Sequence, residues 1–260
     1  LLNLSAQGKT MKEWSFQLYS ARKFPPLRES LRLIADLGYS QVEGFGSLYN
    51  DTDNLKTMLD DAGITMPTGH FDLAMLQNSI EGFQVAEKLG VEVIVCPYLK
   101  KDDRPKDSEG WKRFSQTLTD IGDRCRKMGF KFAWHNHDFE FVPMPDGQIP
   151  MKIMLDNSDM DWEMDLAWVV RGNSNPEDWI VEYGNRLCAV HFKDLAVDGE
   201  NTDEDGWADV GHGVIDWHLM NQLLEKTPVS WFIMEHDNPN DLVRFARRSI
   251  ETVRELERGK

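Results

Sequence analysis

Two of the seven histidines in this 260-residue chain, His135 and His137, flank a single Asn in KFAWHNHDFEF (131–141). Side chains alternate faces along a strand, so if this stretch is extended both imidazoles point the same way. Neutral imidazoles set side by side are donors for a divalent ion of the transition series. Other ionisable residues close further apolar, β-rich runs: Glu43 in SQVEGF (40–45), His70 in TMPTGHF (65–71), Asp165 in DWEMDL (161–166), His191 and Lys193 in LCAVHFKD (187–194), and Glu235 in SWFIMEH (230–236). The sharpest set is His135, Asp165, His191 and Glu235, one residue from each of four consecutive runs. Two imidazoles with two carboxylates suit one Mn²⁺, Zn²⁺, Co²⁺ or Fe²⁺, whereas Mg²⁺ and Ca²⁺ prefer oxygen shells. A single buried His or Asp at a strand end is more often just hydrogen-bonded. Four of them at corresponding positions favour a metal site.

These residues need a frame. WSFQLYS (14–20), VEVIVCPY (91–98) and KFAWHNH (131–137) bring the β-rich runs to eight, and helical patterns separate them. LRESLRLIADLG (27–38) places Leu27, Leu31, Ile34 and Leu37 on one face and stops at a glycine, as do DNLKTMLDDAG (53–63) and WKRFSQTLTDIGDRCRKMG (111–129). Such alternation implies a parallel sheet with crossover helices, and eight units most simply close into an α/β (β/α)8 TIM barrel with its reactive groups at the C-terminal strand ends. One barrel domain is expected over 11–260, after an N-terminal tail, 1–10. The third, fifth and seventh connections, HFDLAMLQN, PMPDGQIP and VDGENTDEDGWADVGHG, read as loops before any helix resumes. Long loops in a compact domain usually carry function.

Composition removes several classes of function. With 44 acidic against 29 basic side chains the formal charge is −15, which repels nucleic-acid phosphates and anionic lipid. No run approaches the ~18 apolar residues of a membrane span. Cys96, Cys125 and Cys188 lie far apart without CxxC spacing, and read as buried small hydrophobes. LLNLSAQGKT fits two descriptions: the remnant of a secretory signal cleaved near Ser5–Gln7, which implies a bacterial periplasm, or a plain terminal tail of a cytoplasmic protein.

FQLYSAR (16–22), GYSQVEGFG (38–46), KFAWHNHDFEF, WEMDLAWV (162–169), NRLCAVHFKD (185–194), GHGVIDW (211–217) and FIMEHD (232–237) together resemble the sugar phosphate isomerase/epimerase family, the xylose isomerase-like TIM barrels. The resemblance implies one divalent ion held by a Glu, an Asp, a His and a second Glu from successive strands. Asp165, His191 and Glu235 match the last three. The first departs, because His135-Asn136-His137 stands where many members carry Glu-Asn-His, so the pair of glutamates that exchanges protons on opposite substrate faces is not carried over intact. Exchanging a carboxylate for an imidazole leaves the shell one negative charge poorer, and the ion is expected to be a stronger Lewis acid toward a ketone.

Glu235 is the first candidate base, with His137, Lys193 and Glu43 as its catalytic partners. Trp168 stands where ketose epimerases and DNA repair endonucleases of this fold often carry a His, which weakens an endonuclease reading. Its indole offers a face for a sugar ring, with Trp14, Trp207, Trp217 and His70 as further substrate contacts, while Trp134, Trp179 and Trp231 read as core. The expected activity is isomerisation or epimerisation of a keto-sugar through a metal-stabilised enediolate. The alternative is a lyase or dehydratase acting on a 3-keto-glycoside or keto-inositol; a non-catalytic carbohydrate-binding barrel ranks last. Relatives of this type often self-associate, so a homo-oligomer is an expectation.

Overall fold

In a closed sheet, the period of two divides every strand between a barrel interior and a helical jacket. The computed structural model describes residues 12–259 and realises that division; the N-terminal tail, with its signal-remnant reading, lies outside the described residues. Its strands are β1 (Trp14–Gln17), β2 (Gln41–Gly44), β3 (Thr65–His70), β4 (Val93–Cys96), β5 (Lys131–His135), β6 (Asp161–Asp165), β7 (Leu187–Phe192), β8 (Asp194–Leu195), β9 (Trp207–Ala208) and β10 (Trp231–Met234). Eight of them close a barrel in the order β1-β10-β7-β6-β5-β4-β3-β2, every neighbouring pair parallel.

Outward residues such as Phe16, Phe132, Trp134, Trp162, Phe192 and Met234 are buried against the helices in the main core. Inward residues Val93, Val95, Ala133, Ala189 and Ile233 form a smaller apolar plug. Each large side chain taken from water contributes roughly 1.5–3 kcal/mol, so the jacket carries most of the stability. Helix Leu27–Leu37 shows how the pieces lock: Leu31 and Ile34 are buried, and Gly38 ends the helix at φ +96°, a conformation that costs glycine little. The three cysteines are buried and free, as expected. No helix among the described residues is long and apolar enough to cross a membrane.

Three expectations change. The third connection is not a loop throughout, since Leu73–Asn78 forms a short helix directly after β3. β5 stops at His135, so His137 lies beyond the strand rather than on it. The seventh connection is partly ordered: β8 and β9 pair antiparallel, Asp194 opposite Ala208 and Leu195 opposite Trp207. Asp194 is the reason. Its carboxylate accepts from the backbone N–H of Leu195, Gly211, Gly213 and Ile215 and from Trp217 Nε1, so one buried side chain gathers the whole GHGVIDW segment. Gly213 is required there, because a Cβ would come within 2.1 Å of the Leu195 carbonyl oxygen.

Candidate active site and metal centre

Above the apolar plug the interior turns polar. Register sets Asp165 opposite His191 and His135 opposite Glu163, which brings the ends of β5, β6 and β7 to one level. The ligand atoms of His135, Asp165, His191 and Glu235 lie within 4.8 Å of one another, all four residues buried. His191 Nδ1 is 2.9 Å from Glu235 Oε2 and 3.9 Å from Asp165 Oδ2. His135 Nδ1 and Asp165 Oδ2 are buried without a hydrogen-bond partner. Each such atom costs about 1–3 kcal/mol if nothing satisfies it. A ring nitrogen and a carboxylate oxygen left open at one point are what a divalent cation needs, and the donor set fits one.

Asn136 explains how the two strands hold this geometry. Alternation turns it away from the histidines, and its buried amide accepts from Trp162 Nε1 at 2.9 Å and Asp165 N at 3.0 Å while donating to the Asp165 carbonyl at 3.1 Å. Asp165 also accepts from the Trp168 N–H, which places the Trp168 indole beside the site.

Lys193 is fully buried, with Nζ 2.6 Å from Asp237 Oδ2, 3.3 Å from Glu235 Oε2 and 3.6 Å from Asp165 Oδ2. Its ammonium lies 4.2 Å from the centre of the Trp207 ring and 4.9 Å from that of Trp168. Burial disfavours the charge, but the Asp237, Glu235 and Asp165 carboxylates outweigh it and hold the lysine above its usual range. Burial would raise Glu235 as well; Lys193 and His191 reverse this and keep it well below the ordinary carboxylate range. Asp165 is pushed up to about 7 by burial, against the Lys193 ammonium and with the help of the Glu235 charge. Burial, with Lys193 nearby, depresses His137 to about 3, so it is neutral at ordinary pH. His135 is likewise held low by burial and by the imidazoles around it.

These groups open into a cleft of about 660 Å³. Of the residues expected from the sequence, His70, His135, His137, Trp168, Trp207 and Glu235 line it. Asp165, His191 and Lys193 are buried beneath its surface. Trp14 and Trp217 are elsewhere: both pack on Phe192 in the outer layer, Trp14 edge-on at 4.9 Å and Trp217 stacked at 4.5 Å, because position 14 alternates outward with Phe16 and Trp217 Nε1 is tied to Asp194. Glu43 is fully buried below the cleft, where it accepts from Gln17 Nε2 at 2.8 Å and sits 2.7 Å from His191 Nε2.

Sequence reading missed Glu163 and Asp237. Glu163 was legible from the period of two, since it lies two residues before inward Asp165 on β6, whereas Asp237 follows the end of β10 at Met234, where no strand period places it. Glu163 Oε1 is 2.7 Å from His70 Nε2, 3.0 Å from His191 Nε2 and 3.2 Å from His135 Nδ1. Burial alone would lower His70, but the Glu43 and Glu163 charges raise it to about 10. Tyr19, Arg22, Tyr98 and Arg171 also line the cleft; Tyr19 and Arg22 belong to the FQLYSAR segment, while no motif announced Tyr98 or Arg171.

A barrel whose mouth gathers imidazoles, carboxylates and a buried lysine under an indole wall defines a class, and comparison with known proteins names it. The family model of xylose isomerase-like TIM barrels matches residues 31–256, and this chain belongs to that family. Among curated proteins it is 23% identical to the inosose dehydratase of Lacticaseibacillus casei, across 83% of this chain and 86% of that protein. It is 21% identical to the rhizopine catabolism protein MocC of Rhizobium meliloti, across 83% of this chain and 76% of that protein. Among solved structures, a sugar phosphate isomerase/epimerase from Parabacteroides distasonis superposes with a TM-score of 0.80 at 20% identity, covering 95% of each chain. The 3-keto-D-glucoside 4-epimerase of E. coli superposes with a TM-score of 0.69 at 16% identity, over 94% of this chain and all of that one (100%). The IOLI protein with a bound zinc atom does so at 0.71 and 19%, over 95% and 96%.

Proposed function

We propose that the chain removes the proton beside the ketone of a keto-sugar or keto-cyclitol, with Glu235 as the base. The observation that carries this reading is the convergence of His135, Asp165, His191 and Glu235 on one point under the cleft, with His135 Nδ1 and Asp165 Oδ2 buried and without a hydrogen-bond partner. A divalent ion held by those four residues, Zn²⁺, Mn²⁺, Co²⁺ or Fe²⁺, would supply Lewis acidity toward the ketone oxygen.

The protein's own groups supply the rest. Glu235 lines the cleft and is kept ionised by Lys193 and His191, so it is ready to accept a proton. Lys193 is held charged by the carboxylates around it and has a supporting role: it anchors Glu235 and Asp237 as the proton moves. Neutral His137, with Trp168 at 5.0 Å and Tyr98 at 5.0 Å between ring centres, builds an aromatic wall suited to the C–H face of a ring.

The enediolate left behind has two fates. Return of the proton to another carbon or the other face makes an isomerase or epimerase. Expulsion of a group from the next carbon makes a lyase. His135 in place of a carboxylate removes the strand-five proton-exchanging group, and the curated relative from Lacticaseibacillus casei is a dehydratase, so elimination from a keto-cyclitol or 3-keto-glycoside is the finer reading. The epimerase reading is supported by Asp72, a carboxylate on the wall of the cleft formed after β3. Proton NMR of the metal-reconstituted enzyme with 3-keto-glucosides and keto-inositols in D₂O separates them. Release of the leaving group is the expected result; deuterium uptake without release transfers the assignment to isomerisation or epimerisation, and neither change with any substrate removes both.

A further inference from the structure

Below the rim set, five ligand atoms crowd together in a way that pairwise hydrogen bonds do not explain. His191 Nε2 faces both Glu43 Oε1, at 2.7 Å, and Glu163 Oε1, at 3.0 Å. His70 Nε2 faces the same two oxygens, at 3.1 and 2.7 Å, and His135 Nδ1 approaches Glu163 Oε1 at 3.2 Å. A ring N–H donates along one direction, so it cannot serve two carboxylates well, and one oxygen gains little from three nitrogens. The second oxygens, Glu43 Oε2 and Glu163 Oε2, and His135 Nδ1 are buried and have no hydrogen-bond partner. Atoms arranged around a common centre rather than in pairs are the mark of a coordination shell.

We infer that His70, His135, Glu163 and His191, with Glu43 beside them, form a deep seat for a divalent cation that shares His135 and His191 with the rim set and adds His70 and Glu163 in place of Asp165 and Glu235. The ligand atoms of the first four lie within 4.8 Å of one another. A tetrahedral ion with bonds of about 2.0–2.1 Å holds its ligand atoms roughly 3.4 Å apart, close to the separations here. Three imidazoles with carboxylate suit Zn²⁺, Co²⁺ or another transition-type ion and not Mg²⁺ or Ca²⁺. The seat has an entry path, since His70 and His135 line the cleft floor. His191 is the link between levels: Nδ1 faces Glu235 and Asp165 at the rim, and Nε2 faces Glu43 and Glu163 below.

The test needs no substrate. Crystals of the wild-type chain grown with Zn²⁺ and measured at the zinc absorption edge are expected to show an anomalous peak bonded to His70, His135, Glu163 and His191. A peak confined to the Asp165 and Glu235 side, or none at saturating zinc, overturns the seat. In solution, Glu163→Gln and His70→Asn are each expected to weaken zinc at this seat at least tenfold, while Asp165→Asn retains it. Unchanged zinc binding in both folded variants overturns the seat. The same zinc ion surviving in Asp165→Asn supports it whether or not any keto-sugar reacts.

Discussion

The two halves of the barrel mouth contribute different things. β5, β6, β7 and β10, with the residues just after them, bring His135, Asp165, His191, Lys193 and Glu235 to one place, while β1 to β4 and their loops bring Gln17, Glu43 and His70 below and Tyr19, Arg22 and Tyr98 above. The first group carries the rim chemistry; the second group shapes the cleft and, through Glu43 and His70, holds that chemistry from beneath. Their meeting point is His191, fixed from one side by Glu235 at 2.9 Å and from across the barrel by Glu43 at 2.7 Å. The comparison teaches that the rim geometry is set partly by residues on the far side of the barrel, because a metal-ligating imidazole is oriented by whatever its other nitrogen meets.

The largest effect that would sharpen this contrast is expected from Lys193→Met. It leaves the buried Glu235, Asp165 and Asp237 without their cation, and breaking a buried pair from one side costs roughly 3–5 kcal/mol. Urea unfolding measures the loss, and turnover is expected to fall by about a hundredfold as Glu235 is no longer kept ionised. Asn136→Ala comes next. Removing the amide that ties β5 to the Asp165 backbone is expected to cost roughly 2–3 kcal/mol and to lower turnover, whereas an unaltered melting curve would break the claim that this contact positions Asp165.

A smaller effect concerns pH. Burial, with the Lys193 ammonium nearby, depresses His236 to about 3, and His137 behaves alike. Between pH 6.5 and 3 the unfolded chain binds protons there that the folded chain does not, so stability present above pH 6.5 is lost as pH falls. His236→Gln keeps an acceptor for the Asn238 N–H and is expected to recover about 2 kcal/mol of the loss between pH 7 and 5, read from melting at both values. Smallest is Trp168→Ala, expected to raise KM about tenfold, roughly 1.4 kcal/mol, with kcat little changed. A fall in kcat alone would move Trp168 from wall to machinery.

Much of this architecture was legible in the residue pattern. Alternating runs closed by ionisable residues gave the eight barrel strands and the His135, Asp165, His191 and Glu235 set, because strand period and strand end are local properties. The tryptophans were harder. Trp168 and Trp207 line the cleft while Trp14 and Trp217 pack on Phe192, a difference fixed by side of strand and by the Asp194 contact. Glu163 was readable by counting back from Asp165, yet its three imidazole neighbours come from β3, β5 and β7 and appear only once the barrel closes. The β8 and β9 pair depends on Asp194 reaching segments seventeen or more residues away, which no local pattern encodes.

The central claim is that Glu235 takes the proton beside a ketone. Loss of the solvent-exchangeable proton at that carbon, followed by NMR in D₂O for the metal-reconstituted wild type and Glu235→Gln, tests it most directly. The account predicts reaction at that carbon in the wild type and a fall of at least a hundredfold in the variant. Equal rates in the two proteins, with metal content matched, would contradict it.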